Sequence, residues 1–271
     1  MRFEPKNKIL IAGHRGNPKD CPENTMPSFR SAIDAGVDMI ETDIHATKDG
    51  VLVLIHDNDT ARVTGTCGKI NEMTYEEVKK LRVGDPEKNI TIPTLDEFLK
   101  LCSPHENLTM DLEIKVYSHE EGMDAVKYTV ENTVRMLEEN KIDDDRVLFN
   151  CFDAYVLEYI YKKYNKRFRL HGYYPYTAMH NVDKCEDMPE AFLDYACIWG
   201  KEIDVKACCG YLLSHGIEPC DYLISNGKSM AIGADGNMME YLSCAGCSLF
   251  TMNDPAPAVR WRNDYEKKMN K

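Results

Sequence analysis

Short apolar runs alternate along the chain with longer segments of helical period. Eight runs read as strands: "KILIAGH" (8–14), "DMIETDI" (38–44), "LTMDLEIK" (108–115), "RVLFNCF" (146–152), "RFRLHGYY" (167–174), "YACIWG" (195–200), "SMAIGAD" (229–235) and "CSLFTMN" (247–253). Between them lie amphipathic stretches such as "TMPSFRSAIDAG", where Phe29 and Ile33 mark an apolar stripe and Gly36 a C-terminal stop. Strand then helix, repeated, is the signature of a parallel sheet. Eight such units in 271 residues predict an α/β fold of the TIM (β/α)8 barrel type.

A ninth run, "VLVLIHD" (51–57), breaks the alternation, because the "ATKDG" that precedes it is too short for a crossover helix. It predicts an antiparallel hairpin after the second strand. With "TKDG" (47–50) as the turn, Ala46 pairs with Val51, Asp43 with Leu54 and Glu41 with His56. Downstream, "TYEEVKKL" and "TLDEFLKL" each open with a capping box, Thr74 with Glu77 and Thr94 with Glu97, so 57–107 reads as an insertion of loop and small helices. No repeat, low-complexity tract or linker interrupts the pattern, and 1–271 reads as one domain.

Composition narrows the function. A hydrophobic fraction of 43% supplies a large core, and a net charge of −12 disfavours nucleic acid and anionic membranes as partners, leaving a small molecule. The N-terminus carries only a short apolar run and no 18 apolar residues follow one another, so a cytoplasmic protein without stable membrane association is expected. The 11 cysteines, an odd number, read as reduced thiols; Cys208 with Cys209, and Cys244 with Cys247, read as ordinary buried thiols rather than a metal or redox site.

The candidate chemistry sits at strand ends. Residues two apart on a strand share a face, so Glu41 and Asp43 point together into the barrel while Ile40 and Ile44 face the helices. Glu113 and Lys115 repeat the arrangement on the next parallel strand. The C-terminal rim then gathers His14, Arg15, Glu41, Asp43, His56, Glu113 and Lys115. Each alone would be ordinary, as a solvated strand face, a loop histidine or a surface ion pair; their coincidence where a barrel keeps its reactive groups favours function. Three crowded carboxylates require a cation, and an oxygen-only set selects a hard divalent ion: Mg2+, Ca2+ or Mn2+. Arg15 and Lys115 add fixed charge for a phosphoryl group, and two histidines can serve as acid and base near neutral pH. His45 reads as a solvated turn residue, and His105, His119, His180 and His215 as surface.

The stretch "AGHRGNPKDCPENTMPSFRSAIDAGVDMIETDIHATKDGVLVLIHDNDTARVTGTCGKI" (12–70) presents, in order, His-Arg-Gly, Pro-Glu-Asn-Thr, Glu-x-Asp, Thr-x-Asp-Gly and His-Asp. In this it resembles the glycerophosphodiester phosphodiesterases, and the likeness continues through "IPTLDEFL" and "LEIK" before thinning to scattered agreement in "LFNCFD" and "TMNDPAPAV". The resemblance implies a TIM barrel, His14 and His56 as the catalytic pair, Glu41, Asp43 and Glu113 as ligands of one divalent ion, and Arg15 and Lys115 as phosphate contacts. It implies that Glu23 and Asn24 brace the site and belong to the substrate-binding set with Arg15 and Lys115, although Asn24 or Thr25 also suits the N-cap of the helix that follows. The later strands depart from the family pattern: Gly233 falls where a tryptophan commonly walls the glycerol pocket, "NCFD" replaces Ser-Phe-Asp, and Thr-Asp-x-Pro is stretched over Thr251 to Pro255. Trp199, Tyr173 or Tyr174 are candidates to replace that ring. The implied reaction is cleavage of glycerophosphodiesters to glycerol 3-phosphate and an alcohol. A related phosphodiesterase for lysophospholipids or polyol phosphodiesters is the alternative, and a non-catalytic binding protein the third.

Overall fold

The computed structural model describes residues 9–200, 203–224, 228–229 and 236–269. Its strands are β1 (Leu10–His14), β2 (Met39–Ala46), β3 (Leu52–Leu54), β4 (Thr109–Ile114), β5 (Val147–Asn150), β6 (Arg169–Tyr174), β7 (Tyr195–Trp199), β8 (Glu218–Ile224), β9 (Lys228–Ser229) and β10 (Leu249–Met252). Its α-helices are α1 (Met26–Ala35), α2 (Ala61–Thr64), α3 (Tyr75–Val78), α4 (Leu95–Cys102), α5 (Gly122–Glu139), α6 (Ala154–Lys163), α7 (Val205–Ser214), α8 (Gly236–Ala245) and α9 (Pro255–Met269). Parallel pairing runs β1-β2-β4-β5-β6-β7-β8-β10 and returns to β1, closing an eight-stranded (β/α)8 barrel.

Seven predicted strands coincide with barrel strands. The seventh does not: that position is taken by β8, "EPCDYLI", whose Pro219 and acidic residues hide its strand character, while residues 230–235 of the predicted "SMAIGAD", with Gly233, lie outside the described residues. Between β6 and β7 three 3-10 turns (176–178, 182–184 and 189–191) stand where the alternation would place an α-helix.

The hairpin forms, with a register one residue from that predicted. Ile44 faces Leu54, His45 faces Val53 and Ala46 faces Leu52. The turn closes over five residues instead of four, because Thr47 N donates to Val51 O and Val51 N donates back to Thr47 Oγ1, both at 2.9 Å. The paired ladder ends at Leu54, so His56 is not cross-strand to Glu41. Instead Ile55 N donates to Asp43 O (3.1 Å), and the chain then turns His56 over the barrel mouth.

The insertion is shorter than 57–107. Leu95, Phe98, Leu99 and Cys102 of α4 are buried in the main core, with the Phe98 ring 4.7 Å from that of Phe29, so α4 is the barrel helix that follows β2. Both predicted capping boxes form, at Thr74–Glu77 and Thr94–Glu97. Ahead of α4, the inserted turns bury Val53, Ile55, Ile70, Val78, Leu81, Val83 and Ile92 in a separate small cluster. The turns therefore carry a core of their own beside the rim that bears His56.

Candidate active site

The register of the barrel sets the site. Parallel pairing aligns His14 with Glu41, Glu41 with Asp111, Asp43 with Glu113, and Glu113 with Asn150. Glu41, Asp43 and Glu113 are buried, and one oxygen from each lies within 4.8 Å of the others. Glu41 Oε1 has no hydrogen-bond partner, and Asp43 Oδ1 has only an ion pair with Lys115 Nζ at 3.2 Å. Three hard oxygen donors with spare lone pairs fit a divalent cation of the Mg2+, Ca2+ or Mn2+ kind.

The protonation of these groups shows the crowding. Burial, then the Asp43 and Glu113 charges, raise the Glu41 carboxyl well above its usual range. Burial lifts Glu113 to about 7 against the opposing pull of Lys115. Burial would lift Asp43 too, but Lys115 and then Arg15 outweigh it and hold that carboxyl well below the ordinary value. The cluster thus keeps protons that a bound cation would displace.

The first loop supplies a fixed cation. Arg15 N donates to Glu41 Oε2 (2.9 Å), Arg15 Nη1 to Glu23 Oε1 (2.9 Å), and Arg15 Nε lies 3.3 Å from Asp43 Oδ2. To do this Arg15 adopts a left-handed backbone (φ 56°), as does Asn24 (φ 52°). Such strain persists only where the surroundings over-determine it. Gly16 between them has φ +90° and lies so close to Ser28 that a Cβ would fall 2.6 Å from its carbonyl carbon. Thr25, not Asn24, caps α1. Asn24 is thereby free to donate to Asp43 Oδ2 (2.7 Å) and accept from Thr42 (2.8 Å). Lys115 Nζ sits 2.6 Å from Glu113 Oε1, completing a pair of cations on the carboxylates.

Two imidazoles flank the cluster. His14 Nδ1 pairs with Asn253 Oδ1 at 2.7 Å, which assigns its proton to Nδ1 and leaves Nε2, 3.9 Å from Glu41 Oε2, as a free base. Burial, then Arg15, lower its pKa to about 4. His56 Nδ1 pairs with Asp57 Oδ1 at 2.7 Å, leaving Nε2 free in the same way; burial, then Lys115, lower its pKa, with Asp43 opposing.

All nine predicted site residues therefore meet at one end of the barrel. His45 departs from expectation: it is buried, and its Nε2 reaches His56 O at 3.2 Å, so it supports the backbone of the His56 turn. His105, His119, His180 and His215 are exposed, as predicted. Residues not singled out from the sequence include Asp111, Asn150, His171 and Asp221, which with His14, Glu41 and Glu113 line a cavity of about 60 Å3 inside the barrel. His171 Nδ1 pairs with Asp111 Oδ2 at 2.8 Å. Asp57 and Asn253, the partners of the two imidazoles, were also missed. Beside Lys115, the rings of Phe152 and Tyr173 stack at 3.6 Å and Trp199 meets Phe152 edge-on at 5.3 Å, an apolar wall next to the charged cluster. A wider groove of about 450 Å3, between the hairpin turn and α5, gathers no comparable set of acids and bases.

Fold and site together define a (β/α)8-barrel protein with an acidic centre, two imidazoles and two fixed cations on its C-terminal rim. The chain belongs to the glycerophosphoryl diester phosphodiesterase family, whose model matches residues 14–204. It is 35% identical over 159 residues to a glycerophosphodiester phosphodiesterase of Caldanaerobacter subterraneus, a match covering 57% of this chain and 63% of the relative. With human glycerophosphodiester phosphodiesterase 1 it shares 36% identity over 123 residues, 43% of this chain and 37% of the relative. These matches span less than two thirds of each relative. In fold it is similar to an Oleispira antarctica phosphodiesterase solved with sn-glycerol-3-phosphate as product (TM-score 0.74, 20% identity, 94% of this chain and 96% of that one). It is likewise similar to the glycerophosphodiester phosphodiesterase of Thermotoga maritima (TM-score 0.69, 19% identity, 93% and 97%).

Proposed function

We propose that this chain is a divalent-metal-dependent hydrolase that cleaves glycerophosphodiesters to glycerol 3-phosphate and an alcohol. The observation that carries the reading is the meeting of three buried carboxylates, two imidazoles with free Nε2 atoms, and the Arg15 and Lys115 cations at one rim. Relatives named for this activity and a structural neighbour solved with sn-glycerol-3-phosphate support it.

Glu41, Asp43 and Glu113 would hold the ion, which when bound neutralises charge on a phosphoryl oxygen. Arg15 and Lys115 orient the phosphodiester, while Glu23 and Asn24 hold Arg15 and Asp43 in place. Each imidazole keeps its Nδ1 proton on a fixed acceptor, so Nε2 is the atom that exchanges protons with the substrate. One ring takes the proton of the attacking hydroxyl on its Nε2, and the other, which enters this step protonated at Nε2, gives that proton to the departing alkoxide as the P–O bond breaks; the attack of water that completes the reaction returns both rings to their starting states. In the net reaction one water is consumed, its OH ending on phosphorus and its H on the alcohol. Phe152, Tyr173 and Trp199 offer an apolar surface for the glycerol carbons.

The main core runs from Ile9 to Val259, which supports one catalytic domain over 1–271 with the insertion inside it. Among the described residues no helix is long and apolar enough to cross a membrane; the proposed enzyme acts on a small-molecule substrate in the cytoplasm. Assay of a panel of glycerophosphodiesters, lysophospholipids and polyol phosphodiesters with Mg2+, Ca2+ or Mn2+ tests the reading. Release of glycerol 3-phosphate, lost in EDTA and restored by one of these ions, is expected. Metal-independent turnover, or preference for another diester, would displace it.

A further inference from the structure

One residue outside the carboxylate cluster joins its two sides. Arg62, in the inserted helix α2, donates from Nε to Asp57 Oδ2 at 2.5 Å, and from Nη1 and Nη2 to both oxygens of Glu23 at 3.0 and 2.7 Å. Asp57 uses its other oxygen to hold His56 Nδ1, and Glu23 Oε1 also accepts from Arg15 Nη1. A continuous chain of charge-assisted bonds thus runs His56–Asp57–Arg62–Glu23–Arg15. Its two ends are a reacting imidazole and a phosphate-binding guanidinium. Arg62 itself is 49% exposed and forms no ion pair with Glu41, Asp43 or Glu113.

We propose that Arg62 is a positioning residue that acts through Asp57 on His56 and through Glu23 on Arg15. The proposal rests on the reading of His56 as one of the two reacting imidazoles. A bidentate guanidinium in a charge network can also add stability, so the unfolding temperature is read beside kcat to separate the two roles. The planar fork grips Glu23 with two nitrogens while the third fixes Asp57, an arrangement that lysine, a single point of charge, cannot reproduce. With Asp57 fixed, the His56 proton stays on Nδ1 and Nε2 remains free for the substrate. With Glu23 fixed, Arg15 keeps its approach to Asp43. The insertion, which has its own small core, thereby contributes to the order of the site without touching substrate.

The test compares full-length Arg62→Lys, Arg62→Gln and Asp57→Asn with wild type, using a glycerophosphodiester at saturating divalent ion. Both Arg62 variants should lose about tenfold or more in kcat with little change in KM or unfolding temperature. The double variant Arg62→Gln/Asp57→Asn should lose less than the product of the two single losses, because the Asp57 arm is already broken and only the Glu23 arm is left to lose. Wild-type kcat in Arg62→Lys, additive losses in the double variant, or a rise in KM alone would overturn the proposal, the last by making Arg62 a direct substrate contact. Nitrogen-15 spectra of the histidine rings, with His56→Gln to assign the signal, give a readout independent of turnover. His56 should be the Nδ1–H tautomer in wild type and a mixture in Arg62→Gln; an unchanged tautomer would also overturn the proposal. A wild-type chain inactive on every diester, yet showing the tautomer change, would refute the proposed function and leave the positioning role standing.

Discussion

At the scale of single residues, the two imidazoles and the three carboxylates make separable predictions. His14→Ala or His56→Ala should lower turnover by about 100-fold or more while divalent-ion affinity, read by calorimetry, stays close to wild type, given the usual worth of general acid-base catalysis. Near wild-type turnover in either variant would remove that ring from the mechanism. Glu41→Ala, Asp43→Ala and Glu113→Ala should each weaken ion binding in the same titration, and a variant that binds as tightly as wild type is not a ligand. The motif residues were legible because period-2 spacing puts Glu41 with Asp43, and Glu113 with Lys115, on one strand face. Their partners were not. Asp111 had the same period-2 signal and could have been found from Glu113. Asn253 could not, since it meets His14 across 239 residues of sequence and no local pattern announces it.

Among the elements, α4 shows how a local signal can be right about structure and silent about place. The Thr94–Glu97 capping box was read correctly, but only the burial of Phe98 against Phe29 makes α4 part of the barrel layer rather than of the insertion. Thr94→Ala removes the acceptor for Glu97 N, and should cost about 1 kcal/mol in urea unfolding, a typical loss for an N-cap. An unchanged midpoint would mean that packing alone holds this end of α4. The hairpin register was missed because Thr47 closes the turn with both its backbone and its side chain, adding a residue that counting from "TKDG" does not see. The seventh strand was missed for a different reason. β8 contains Pro219, Asp221 and Glu218, residues that disfavour a strand by propensity, and only the closing of the ring between β7 and β10 makes it one.

For the molecule as a whole, the carboxylate cluster couples stability to pH and to metal. Burial raises Glu41 above its ordinary range and Glu113 to about 7, so below about pH 7 Glu113 carries a proton that an incoming cation must displace. The gain in unfolding temperature on adding a saturating divalent ion to chelated protein should therefore be larger at pH 8 than at pH 5.5. Comparing the gain rather than the temperature itself separates ion binding from the histidines, whose contribution runs in the same direction: His14 and His45, both lowered to about 4, take nothing from stability above pH 6.5 and reduce it as the pH falls towards their folded values. A pH-independent gain would place the ion elsewhere. The bond between His14 and Asn253 has a consequence for synthesis. Glu41, Asp43 and Glu113 leave the ribosome within the first half of the chain, yet the acceptor that orients His14 emerges just after β10, the strand that seals the ring. A nascent chain can thus carry its proposed ion ligands and still lack the acceptor that fixes the His14 ring. On the proposed mechanism turnover should begin only once the last strand is in place, so its onset during translation would report the completion of the ring.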